Sequence, residues 1–182
     1  MPEQTEKLAR LHRLCAWLSH AAKIVALLLL AANAVLWLVP EFAAETARSQ
    51  ASIGTKPITL TFGVRAASLA VSFAYVGLMA AALWTVAGLF AAFAQGAIFV
   101  SETGARLRRV GVLLLLYAAL SPLFRALIGV IVTLGNESGQ RVLAIGISSQ
   151  DVIVALIAAL LIVLGHVMAE AALIADDNRQ IV

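Results

Sequence analysis

From Ala66 to Ser101 the chain carries no charged side chain. A helix needs about 20 apolar residues to cross the hydrocarbon of a bilayer, so this run is longer than one crossing requires. Nor is it an isolated feature. The whole chain is 62% hydrophobic and only 13% charged, where a soluble domain carries about 25% charged residues. Too little polar surface remains to cover a globule of this size, and an integral membrane protein follows.

Taken in order, the chain divides into four apolar runs. Leu8, Leu11, Leu14 and Leu18 fall at spacings of three and four, opposite Lys7, Arg10 and Arg13, and predict an amphipathic lead-in helix. It runs into a first span at about 16–39, with Lys23 placed to snorkel at one end and Trp37 placed at the interface of the other. The run is long for a cleaved leader, and Phe42-Ala43-Ala44 is a poor cleavage site, so a span is expected. Pro40 stops the helix. The remaining spans are predicted at about 66–92, 110–134 and 152–175. Two outer loops, 40–65 and 135–151, a cytoplasmic hinge at 96–109 and a tail at 176–182 connect and close them. Gly77 and Ala81 form a small-xxx-small pair that would admit a neighbouring helix. In the outer loops ITLTFGV, Ile58 to Val64, and RVLAIGIS, Arg141 to Ser148, alternate as strands do, which predicts a small two-stranded sheet on the outer face.

Charge placement sets the orientation. The N-terminal segment, hinge and tail carry Lys7, Arg10, Arg13, Lys23, Arg106, Arg108, Arg109 and Arg179; the other side carries Arg48, Lys56, Arg65 and Arg141. Positively charged loops stay inside, so both termini are expected in the cytoplasm. ARLRRVGVLL, Ala105 to Leu114, echoes ARLHRLCAWL, Ala9 to Leu18; AQGAIFVSET, Ala94 to Thr103, echoes AEAALIADDN, Ala169 to Asn178. The expected fold is therefore all-α: one membrane domain over 1–182, its four spans arranged as two tandem hairpins, a parallel internal repeat.

Polar residues within lipid are costly and are the first place to look for function. Here they are Asn33, Arg125, His166 and Glu170. Arg125 and Glu170 lie at opposite depths, too far apart to pair, so Arg125 is expected to snorkel or to bind carbonyls freed at Pro122. His166 and Glu170 share a helix face, but two ligands do not make a metal site. Asn33 reads as a tie between helices. The one cysteine, Cys15, excludes an intrachain disulfide. No nucleophile-base pair, phosphate loop or paired carboxylates occur, so neither an enzyme nor a cofactor is expected. No basic patch suited to direct nucleic-acid binding occurs either. At the inner face Gln95, Arg106, Arg108 and Arg109 would meet Asp176, Asp177 and Asn178 as one mixed-charge interaction surface.

LFAAFAQGAIF, RLRRVG and the closing VMAEAALIADDNRQIV resemble the bacterial "domain of unknown function 2975" membrane proteins over roughly 10–182. The resemblance is most specific at Phe90, Gly96, Phe99, Arg109, Gly111, Glu170, Asn178 and Val182; the family's usual Glu-Asn in the tail is Asp177-Asn178 here. It implies four spans and, by association with neighbouring genes, a small helix-turn-helix regulator of the Cro/CI type as partner. The expected function is thus a signalling or interaction protein, with the bilayer around it and homo-oligomers left open. The alternative is a small transporter or channel subunit that uses the intramembrane polar residues.

Overall fold

The computed structural model describes residues 2–51, 57–96, 101–137, 140–143 and 145–180, with side chains over 9–51, 57–96, 102–137, 140–143 and 145–174. Five helices account for nearly all of it: α1 (Pro2–Leu38), α2 (Pro40–Ala51), α3 (Phe62–Ala94), α4 (Ser101–Thr133) and α5 (Ser149–Gln180). All but α2 are long and apolar enough to cross a membrane, over Ala9–Leu38, Phe62–Ala94, Glu102–Thr133 and Ser149–Ile174. The chain has the build of a multi-pass helical membrane protein. At 33 residues, α3 and α4 are each about 50 Å long against a hydrocarbon core of about 30 Å. Their ends therefore stand in the headgroup layers.

The long helices pack in a row. α1 lies on α3, α3 on α4 and α4 on α5, which gives two hairpins joined through α3 and α4. α2 bridges from α1 to α4 across the end of the row remote from Arg106–Arg109. That end is the far end below, and the arginine end is the basic end.

α2 is an element the sequence did not announce. Pro40 ends α1, but it also starts a new helix, because proline suits the first helical position, where its missing N–H costs nothing. Ala43, Ala47 and Ala51 recur every four residues and lie buried against Trp37, Phe124, Ile128 and Val132. Weakly apolar alanines hid this stripe in a segment that reads as polar. Trp37 is consequently not at the interface: α2 folds over it and leaves it fully buried. Arg65 of α3 donates to Leu38 O at 2.9 Å and so closes the end of α1.

The predicted outer sheet is absent: no β-strand occurs among the described residues. Thr61 caps α3 and draws Phe62–Val64, the second half of the first alternating segment, into the helix. The rest of that segment docks on the end of α4. Thr59 N donates to Val132 O at 3.0 Å, and Asn136 Nδ2 donates to Pro57 O at 2.6 Å. The second segment docks at the same place, through Val142 N to Thr133 Oγ1 at 3.0 Å; its Ala144 lies outside the described residues. The last turn of a helix leaves carbonyls without partners, and two short segments satisfy themselves there more readily than in a marginal two-stranded sheet.

At the basic end α3 closes on Gly96, whose φ of 80° is the left-handed conformation that glycine adopts without cost after a helix. α4 then begins at Ser101 rather than at 110, so much of the predicted hinge is helical; its residues 97–100 lie outside the described residues. Glu102 in the first turn of α4 favours this early start.

Candidate functional site

Arg125 does not snorkel. Its Nη2 donates to Ser121 Oγ at 2.7 Å, one turn back on α4, and to Asp151 Oδ2 on α5. Asp151 is held for this by its own helix start. Ser148 N donates to Asp151 Oδ2 at 2.8 Å, and Asp151 N donates to Ser148 Oγ at 3.2 Å. The two residues form a capping box, Ser148-x-x-Asp151, in which each side chain satisfies the other's backbone N–H. In the sequence Glu170 lies too far from Arg125 to pair with it, and Asp151 falls at the end of the predicted outer loop 135–151. Its signal was there: a serine followed three residues later by an acid, just before an apolar run.

Aromatic rings lock α3 beside this pair. Tyr75 slots between Tyr117 and Phe124, with ring centroids 4.3 Å from each. Ser49 and Gln50 of α2 roof the site, and the space among these groups is a cavity of about 400 Å³. It belongs to the far end of the protein.

The other polar residues are placed elsewhere. Asn33 Nδ2 donates to Ser72 Oγ at 3.0 Å, buried between α1 and α3. His166 Nδ1 pairs with Ile162 O at 2.8 Å within α5, on an exposed face. Glu170 is exposed further along α5. Asn33, Arg125 and the His166–Glu170 face of α5 therefore lie apart from one another. Among the described residues no three His, Cys, Asp or Glu side chains lie close enough to hold a metal.

At the basic end the arginines of α4 part company. Arg106 turns toward α3, donating to Gly88 O at 2.7 Å and to Glu102 Oε1 at 2.8 Å. Arg109, a turn further on, lies beside the same groove, which Trp84 and Thr85 of α3 also line. Arg108 lies on the α5 side. A Cβ added to Gly165 would stand 2.8 Å from Arg108 N and 2.8 Å from Gly104 O, so the two backbones touch. Gly104 in turn faces Ala169. The first turns of α4 thus pack directly on the middle of α5, around Gly165 and Ala169. Gln95 is exposed just past the end of α3. Asp176, Asp177 and Asn178 continue α5 as helix, while their side chains, and with them the predicted contact to the arginines, lie outside the described residues. Gly77, by contrast, has nothing within 4 Å of an added Cβ, so the small-residue pair chosen from the sequence is not a helix contact.

No family model, curated protein or solved structure matches this chain.

Proposed function

We propose that this chain is a non-enzymatic interaction protein of the bacterial inner membrane that holds a small soluble regulator of the helix-turn-helix type at its basic end. The observation that carries the proposal is the backbone contact of Gly104 with Gly165. It packs the first turns of α4, with Arg108, against α5 at Gly165 and Ala169, and α5 runs on from there as helix through Asp176 and Asp177, which supports a partner surface drawn from both helices. The excess of basic residues at this end supports a cytoplasmic location for it and for both termini. The resemblance to a family encoded beside Cro/CI-type regulators supports the class of partner. An exposed charge pair contributes only about 0–1 kcal/mol, so a partner can displace internal pairings here and be released again.

A conduit is less well supported. Asn33, Arg125, His166 and Glu170 would have to line one path, but Asn33 is buried between α1 and α3, Arg125 is tied to Asp151 between α4 and α5, and His166 and Glu170 share an exposed face of α5. Capture from native membranes tests the proposal. The intact chain should retain a small DNA-binding regulator, and Arg108→Glu or deletion of Asp176–Val182 should release it while insertion is unchanged. If both variants keep every partner of the intact chain, or if no partner is a helix-turn-helix protein, the proposal fails.

A further inference from the structure

The face of α4 turned away from α5 carries a second feature at the basic end. Between α3 and α4 lies a groove of about 500 Å³ whose floor is apolar, with Ala81 and Leu113, and whose rim holds Arg106, Arg109 and Trp84. Lys23 of α1 reaches it as well, its Nζ standing 5.9 Å from the centre of the Trp84 ring. Three cations, one from α1 and two from α4, therefore gather around the groove that Trp84 of α3 lines. Gly88 makes room for them: a Cβ there would stand 3.4 Å from Arg106 Nη1. Arg106 is fixed by Gly88 O and Glu102, which is the one acid among these groups. Thr85 donates its proton to Ala81 O and offers no donor to a ligand. Arg109 has no hydrogen bond or ion pair with any described residue, so its guanidinium is available.

Depth and openness identify the occupant. Gly88 lies six residues before the end of α3 at Ala94, hence about 9 Å along the axis. With helices about 20 Å longer than the hydrocarbon core, that is the boundary between headgroups and acyl chains. In a row of helices neither side of the α3/α4 contact is covered by another long helix, and α2 lies at the far end. The groove therefore opens sideways, to lipid. A cationic rim above an apolar floor matches a phosphate above acyl chains, as in basic pockets between membrane helices that hold anionic headgroups. Arginine adds two parallel N–H donors suited to phosphate oxygens.

We infer that this groove binds the phosphate of an anionic phospholipid of the basic-end leaflet, with Arg109 and Lys23 supplying the free cations and Arg106 the fixed one. The site is independent of the regulator surface, which uses the opposite face of α4 at Arg108. Trp84 is half exposed and reports occupancy directly.

The full chain is reconstituted in phosphatidylcholine vesicles that contain either brominated phosphatidylglycerol or the same amount of brominated phosphatidylcholine, and tryptophan emission is followed. The phosphatidylglycerol should quench more strongly, and the excess should vanish in Trp84→Phe. Lys23→Gln and Arg109→Gln should each weaken the response about fivefold, the effect of one cation near an anionic surface. Both variants change side chains that leave the α3/α4 contact intact, and unchanged helical circular dichroism verifies it. Inorganic phosphate added at the concentration of the lipid should change nothing. Equal quenching by the two lipids, or an excess that survives in both glutamine variants, would overturn the inference. Displacement by inorganic phosphate would overturn it too, by assigning the groove to a soluble anion.

Discussion

Asp151 closes the capping box of α5 with the same oxygen that receives Arg125. The two partners are not equivalent, and substitutions should show it. Arg125→Met leaves Asp151 still bonded to Ser148 N, and its expected cost is about 1–2 kcal/mol. Asp151→Ala both uncaps α5 and strands a guanidinium whose side chain is only 26% exposed, so a loss of about 3–5 kcal/mol is expected. Unfolding of the two purified variants in detergent checks the order; a larger loss for Arg125→Met would show that Asp151 is held by something other than its cap. At this scale the sequence revealed the costly residue but not its partner. Arg125 stands out because lipid tolerates few charges, whereas an acid at a helix start looks like ordinary loop chemistry. The Tyr75 stack was invisible for a different reason. It depends on the register of α3 against α4, and that register is a property of two helices, written in neither.

The α4/α5 contact is built on small residues where the sequence suggested a hinge. A Cβ on Gly104 would stand 2.7 Å from Gly165 O, and one on Gly111 would stand 2.7 Å from Ala158 O. These neighbours are backbone atoms and cannot turn aside. Gly165→Ala or Gly104→Ala should therefore push the helices apart and destabilise the protein by about 1–3 kcal/mol. Gly77→Ala should do the opposite, adding up to about 1 kcal/mol through helix propensity alone, since nothing stands in its way. Opposite signs of the two shifts in unfolding midpoint check the assignment, and equal signs would contradict it. Spacing within one helix suggested Gly77 and Ala81, but spacing does not say which face meets a neighbour. The helix α2 escaped for a related reason: its stripe of alanines is apolar enough to bury under tight packing, yet too weak to stand out beside leucine-rich spans.

Four long helices were legible because the bilayer imposes a length and a composition that no other context imposes. Their order in the row was not, since leucines and valines lie on every side of these helices and mark no inner face. Orientation rests on charge, and labelling checks it. In a chain with Cys15 replaced by alanine, cysteines at Arg48 and Glu137 should react with an impermeant maleimide outside intact cells, and one at Arg108 should not. The reverse pattern would place both termini outside and move the regulator surface out of reach of any cytoplasmic partner. The pairing of Arg125 with Asp151 also has a consequence in time. A ribosome delivers α4 before α5, so Arg125 reaches the translocon while its carboxylate is still unmade. Alone, α4 carries that cation about 12 Å below its far end, where insertion of an unpaired arginine costs up to about 3 kcal/mol. The penalty is relieved only when Asp151 arrives, which makes the α4/α5 hairpin, rather than either helix, the unit that leaves the translocon for lipid.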